Sequence, residues 1–212
     1  MKILELFAGS RSIGKIAESL GHEVYSVDIN AFDDIDLVQD IEFLLPEQIP
    51  LQPDMIWASP PCTTYSIAAI STHRDNVRAK TEFAKKSDRL VLNTLHLIEH
   101  YNCIYYIENP RGFLRKMPFM RGLPKATVWY CRYGDSRAKP TDIWTNNLYS
   151  IFKPNGWQPK PQCYNGNTNC HHEAAPRGSR TGTQGLTSNY ERSKIPAKLC
   201  EEIIKATEQA LK

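Results

Sequence analysis

Lys2-Ile3-Leu4-Glu5-Leu6-Phe7-Ala8-Gly9-Ser10-Arg11-Ser12-Ile13-Gly14 decides how this chain is read. The apolar run over residues 2–7 suits a buried strand, and Ala8-Gly9-Ser10 suits a tight turn. Ile13, Ile16, Ala17 and Leu20 then recur at helical spacing, and Gly21 is placed to stop that helix. Residues 23–27 form a second strand that ends at Asp28. Strand, turn, helix, strand is the opening of a βαβ unit, so the pattern predicts a parallel α/β sheet. Further along, residues 54–58 read as a strand stopped by Pro60-Pro61. Residues 81–101 have helical periodicity, and residues 103–107 form a strand running into Glu108-Asn109-Pro110. Residues 111–125 read as a basic loop with a short helix, and 127–131 and 142–144 as later strands. Residues 153–190 are rich in Pro, Gly, Asn and Thr and read as a long irregular loop. An amphipathic helix over 197–211 closes the chain.

At 212 residues, with 41% apolar and 23% charged side chains, the composition is that of one ordinary globular domain. It excludes disordered, collagenous and coiled-coil classes. No run of 18 uninterrupted apolar residues suggests a membrane span. Met1-Lys2-Ile3 leads straight into a strand-like run without a secretory signal, so the six cysteines are expected as reduced thiols in a cytoplasmic protein. The net charge of +3 hides an asymmetry: residues 1–60 carry three basic against eleven acidic side chains, the rest 23 against 12. A basic portion beside an acidic one fits an anionic partner, nucleic acid above all, or simply a solvated basic surface.

Three sites carry chemistry. Small residues after the first strand let a ligand approach the backbone, and Asp28 at the end of the second can accept from ribose hydroxyls, the logic of a nucleoside-type cofactor. The loop lacks the glycine spacing of dinucleotide and nucleoside triphosphate sites; the alternative is a turn that merely needs small residues. Ser59-Pro60-Pro61-Cys62-Thr63-Thr64-Tyr65-Ser66 places a thiol beyond a strand's carboxyl end, where ligands bind in such sheets. Prolines stiffen the chain there. An active Cys62 needs a cationic or helix-N-terminal setting; otherwise it is a small buried hydrophobe. Glu108, at the end of an apolar strand, is expected to be desolvated, and a protonated carboxyl there can donate to a ring nitrogen. The alternative is a solvated loop carboxylate or a cap.

Taken together, these motifs resemble the DNA (cytosine-5) methyltransferase family, most specifically in Pro60-Pro61-Cys62 and Ile107-Glu108-Asn109. The resemblance implies a class I S-adenosylmethionine-dependent methyltransferase fold, Rossmann-like and mostly parallel. It implies an S-adenosyl-L-methionine site drawn from Leu6, Phe7, Ala8, Gly9, Ser10, Asp28, Ile29, Asp40, Ile41, Ser59 and Pro60. Cys62 would be the nucleophile toward cytosine C6 and Glu108 the partner of N3. Tyr133-Gly134 with Arg137 and Lys139 looks like a shortened family segment, in which Arg137 holds cytosine O2 or orients Glu108 and Lys139 is the weaker candidate. The partner is DNA with a flipped cytosine. Ile195-Pro196-Ala197-Lys198-Leu199 is similar to the closing motif, where a C-terminal helix returns beside the first strand.

The expected organisation is a catalytic core at 1–146, a short irregular insert at 147–191 in place of the family's large target-recognition region, and a closing helix at 192–212. So small an insert also admits a free cytosine nucleotide or RNA as substrate, or a silent binding protein of the same fold. Residues 175–183, basic and rich in glycine and hydroxyls, suit phosphate contacts together with residues 111–125. Gln184-Gly185 weakly resembles another family motif. Cys163, Cys170, His171 and His172 are four N/S donors of the kind zinc takes. Their C-x6-C-H-H spacing is not a standard finger, and adjacent histidines rarely share an ion, so no metal is assigned.

Overall fold

The computed structural model describes residues 1–173, 186 and 188–212. The expected phosphate-contacting run at 175–183 and the Gln184-Gly185 match lie outside the described residues. The strands of the main sheet are β1 (Lys2–Leu6), β2 (Glu23–Asp28), β3 (Leu37–Val38), β4 (Met55–Ala58), β5 (Ile104–Pro110), β6 (Lys125–Trp129) and β7 (Pro140–Thr145), and a small hairpin pairs Arg74–Asp75 with Arg78–Ala79. The helices that matter are α1 (Ser12–Ser19), α2 (Glu82–Tyr101), α3 (Asn189–Ser193) and α4 (Ala197–Ala210).

These seven strands make one sheet in the order β3-β2-β1-β4-β5-β7-β6. The first five run parallel, and β7 is inserted antiparallel between β5 and β6. The expected mostly parallel α/β architecture is therefore present. Successive residues of the central strands point to opposite faces. Ile3, Met55 and Trp57 pack with Ile13 and Ala17 of α1 and Leu199, Ile203 and Ile204 of α4. Leu4, Leu6, Ile56 and Ala58 pack on the other face with Leu90, Val91, Leu97 and Ile98 of α2. Covering both faces is what makes these strands read as unbroken apolar runs.

Element ends differ from expectation where tertiary pairing decides them. Phe7 leaves β1 because its φ of +57° is left-handed. Residues 127–131 are not one strand: β6 ends at Trp129, and Tyr130–Tyr133 winds into a 3-10 turn. The strand before Pro110 runs longer than expected because β7 pairs with it as far as Pro110↔Thr141. Glu108 thus lies inside β5, opposite Ile143, rather than just beyond a strand. The C-terminal return is present: α4 packs beside α1 in the shared core, and the Ile195 N–H donates to Ser12 Oγ at 3.1 Å. Gly14 lets α1 approach β1, since a Cβ there would meet Glu5 Oε2 at 2.5 Å. Among the described residues, no helix is long and apolar enough to cross a membrane.

Candidate active site

The chain reverses direction across the sheet between β1 and β4, and the crevice beyond their carboxyl ends is where such sheets bind ligands. On its β1–β2 side, Phe7, Gly9 and Arg11 all have left-handed φ, so the chain turns tightly after the strand. Asp28 is buried, and its Oδ2 accepts from the Gly9 N–H at 3.0 Å. Its Oδ1 accepts from the Asn30 N–H at 2.8 Å and Asn30 Nδ2 at 3.2 Å. A carboxylate offers about four acceptor positions, so one is open, and a second opens if the Asn30 amide turns away. Ile29 beside it is exposed, an apolar surface suited to an aromatic ring. The donor set therefore fits a nucleoside at Asp28 and Ile29. Asp40 and Ile41 are engaged elsewhere: Asp40 pairs with Lys86 at 2.6 Å and caps a turn through Glu42, and Ile41 is buried in the α2-side core. Ser10 Oγ lies 2.9 Å from Ser12 Oγ, and Leu6 and Ala8 are buried.

On the β4–β5 side, Cys62 is exposed and begins the turn Thr63–Tyr65. The loop is held from several directions. Asn109 Nδ2 donates to the Pro60 carbonyl at 2.8 Å, and Trp57 Nε1 donates to Ser59 Oγ at 2.9 Å. A Cβ on Gly112 would meet the Tyr65 carbonyl at 2.6 Å, so the chain after β5 presses directly on this loop. Tyr65 is buried and its hydroxyl donates to Asp88 at 2.7 Å, which rules it out as a ring that stacks on a base. Arg74 lies over the Tyr65 ring, 4.4 Å from its centroid, and pairs with Asp88 at 2.6 Å.

Glu108 is buried, and the Tyr130 hydroxyl donates to its Oε1 at 2.9 Å. Lys139 lies over the Tyr130 ring, 4.6 Å from its centroid, and its ammonium donates to the Arg192 carbonyl at 3.0 Å. Desolvation lowers the Lys139 pKa, opposed by the nearby Glu108 and Cys62. Cys62 is itself pushed up, first by desolvation and then by Glu108, while Lys139 and Arg192 pull it down. Cys62, Glu108, Tyr130 and Lys139 are therefore one electrostatic group. The cationic setting expected for Cys62 is present, but crowding and the carboxyl outweigh it.

Arg137 stands apart from this group in its hydrogen bonds. Its guanidinium is bound to Asp135, to the carbonyls of Glu191 and Arg192, and, at 3.1 Å, to that of Lys194. It clamps the segment before α4 while lying 5.7 Å from the Tyr130 ring centroid, and Lys139, with one bond to the same segment, is the less engaged of the two cations near Glu108. Sequence reading missed Tyr130, placed at the end of a strand with no local sign that its hydroxyl reaches Glu108. In the basic run after β5, Arg111, Lys116, Arg121 and Lys125 are exposed, whereas Arg115 is bound to Asp142.

The chain is 26% identical over 229 residues to the probable DNA (cytosine-5)-methyltransferase of Frog virus 3 (isolate Goorha), covering 96% of this chain and 99% of that one. The chain resembles the DNA (cytosine-5) methyltransferases. No family model matches it. Its fold matches a protein described as a putative DNA modification methyltransferase encoded within an E. coli prophage, with a TM-score of 0.54 at 16% identity over 78% of this chain and 52% of that one. It also matches the S. pombe Dnmt2 methyltransferase, with a TM-score of 0.51 at 15% identity over 72% and 54%. The fold is the one these methyltransferase structures share. The chain spans about half the length of these solved structures.

Proposed function

We propose that this chain transfers a methyl group to C5 of cytosine in DNA through a covalent bond to Cys62. The observation that carries the reading is the adjacency of an exposed Cys62 thiol, in the loop after β4, to a buried, Tyr130-bound Glu108 on the neighbouring parallel strand β5, in the fold of the methyltransferases. Its whole-length similarity to a viral protein named for this activity points the same way.

S-adenosyl-L-methionine, held by the loop after β1, Asp28 and Ile29, supplies an electrophilic methyl group when bound. The chain's own residues prepare the acceptor. C5 of cytosine is a poor nucleophile. The Cys62 thiolate bonds to C6, and the ring electrons so displaced make C5 an enamine carbon. Glu108 Oε2, free of Tyr130, donates to N3 and stabilises the charge that develops there. Lys139 is the cation placed to hold Cys62 as thiolate and to meet the cytosine O2. After transfer, the C5 proton leaves to a base, its electron pair re-forms the ring double bond, and the C6–S bond breaks to release Cys62. Because the thiol of the free protein lies above its ordinary value, the reaction is expected to speed up with rising pH until Cys62 is ionised. The target atom is unreachable in a duplex, so the base is flipped. The exposed Arg111, Lys116, Arg121 and Lys125 supply phosphate contacts.

The test is mass spectrometry of nucleosides from DNA incubated with the protein and S-adenosyl-L-methionine, with dCMP as competitor. We expect 5-methylcytosine in DNA, none with Cys62→Ala, and cofactor binding retained by that variant in calorimetry. Methylation that survives Cys62→Ala overturns the mechanism. Product in dCMP alone moves the substrate to the free nucleotide.

A further inference from the structure

Cys131, Cys163, Cys170 and His172 converge in the structure, with one donor atom from each within 4.8 Å of all the others. The set differs from the four residues that stand close in sequence. His171 is turned out of it, its Nε2 lying 3.1 Å from the Asp135 carbonyl. Cys131 enters from the turn after β6. Two segments far apart in the chain thus supply three thiols and one imidazole to one point.

We propose that this cluster is a structural zinc site. Soft thiolates with one imidazole select zinc over hard cations such as magnesium or calcium, and four protein donors close a tetrahedral shell with no position left for a substrate. Zinc–sulfur bonds of about 2.3 Å put tetrahedral donor atoms about 3.8 Å apart. Cys163 Sγ and His172 Nδ1 are already 3.8 Å apart. The remaining donors need to close by at most about 1 Å, a side-chain movement.

The surroundings are built for such a site. Cys131 and Cys163 are buried, packed with Trp129, and Cys170 borders them. Asn167 Nδ2 donates to Cys163 Sγ at 3.3 Å, a hydrogen bond that favours the thiolate and fixes a ligand's direction. The Cys170 N–H donates to the Asn167 carbonyl at 3.1 Å, so the turn between the two loop cysteines is preformed. Binding releases the three thiol protons and leaves one net negative charge. Arg132 and Lys160 line the adjoining cavity, where that charge would be met.

The physical role follows from where the ligands stand. Among described residues 151–173 there is neither helix nor paired strand of the main sheet; Trp157 anchors the start of the segment in the core, and beyond it Cys163 is the buried apolar side chain that ties the rest down. A metal shared with Cys131 pins it to the core one residue from Tyr130, the partner of Glu108. Zinc here does for a short lobe what a second hydrophobic core does for a large one.

The experiment is metal analysis of the full chain, expressed with added zinc and purified under reducing conditions. We expect about one zinc per chain, retained in Cys103→Ser and lost in Cys163→Ser and Cys170→Ser. Because those two variants could misfold, the native chain also carries the test: replacing zinc by cobalt should give tetrahedral ligand-field bands with thiolate charge transfer, and chelator should lower its Tm. Native protein that is folded and metal-free, a disulfide among these cysteines with no metal, or zinc undiminished in both variants overturns the proposal.

Discussion

On the β1–β2 side of the crevice, the carboxylates find partners near in sequence, Ser12 with its bond from Ile195 being the distant link: Glu5 accepts from the backbone of Ile13 and Gly14, eight and nine residues on, and Asp28 from that of Gly9, nineteen back. On the β5–β7 side they are not. Tyr130 reaches Glu108 across 22 residues, Asn109 reaches Pro60 across 49, and Lys139 reaches the Arg192 carbonyl across 53. The first side is held by a strand, a turn and a helix N-terminus that propensity and spacing already specify. The second is held by polar links between segments that nothing local brings together, so it should be the side that single substitutions damage most.

Arg74→Ala has the largest expected effect and limits that comparison, since its links from the Cys62 loop to α2 span only 10 and 14 residues. The Arg74 side chain is fully buried, and it pairs with Asp88, donates to Thr64 and lies over Tyr65. Truncation leaves the Asp88 carboxylate without its cation beside a buried tyrosine, a loss of about 3–5 kcal/mol. Urea unfolding measures it, and a loss under about 1 kcal/mol would show that the Cys62 loop does not depend on this link.

Glu5→Gln probes the local side. Burial, only partly offset by the Gly14 and Ile13 N–H groups and Arg11, raises the Glu5 carboxyl from 4.5 to about 7. The folded state then holds the proton more tightly than the unfolded one. The stability this adds is whole below pH 4.5 and is lost as pH rises through about 7. Stability of the wild type relative to Glu5→Gln should therefore fall by about 2–3 kcal/mol between pH 4.5 and 8. A flat difference across that range would mean that Glu5 is ionised without cost.

The same contrast explains what was legible in the sequence. Strand β1, its turn, α1 and Asp28 follow from periodicity and small residues, and the Pro60-Pro61-Cys62 turn from proline stiffness. Ile41 reads as a ligand contact from its place after Asp40, yet it is buried in the core, because a short motif does not say which face its apolar residue meets. Arg137 and Lys139 stand two residues apart and were separable only by the chain that folds over them. Residues 191–194 accept from both, but the guanidinium is also bound to Asp135, whereas the ammonium makes one such bond and lies by Glu108 and Cys62. Cys131 had no sequence link to Cys163, Cys170 and His172, and only the turn after β6 delivers it.

Tyr130→Phe is the smallest and most discriminating change. It keeps the ring beneath Lys139 and removes only the hydroxyl that donates to Glu108. With that donor gone, Glu108 loses the bond that fixes Oε1 and hence the direction of Oε2. A positioned acid that must search for its geometry costs about tenfold in rate, roughly 1.4 kcal/mol. The loss should fall on kcat for methyl transfer, with KM for DNA unchanged, because the tyrosine lies behind the carboxyl rather than against the substrate. A rise in KM at constant kcat would instead make Tyr130 a packing residue. The long-range link from β6 to β5 would then serve the fold alone, and the two sides of the crevice would differ in assembly but not in chemistry.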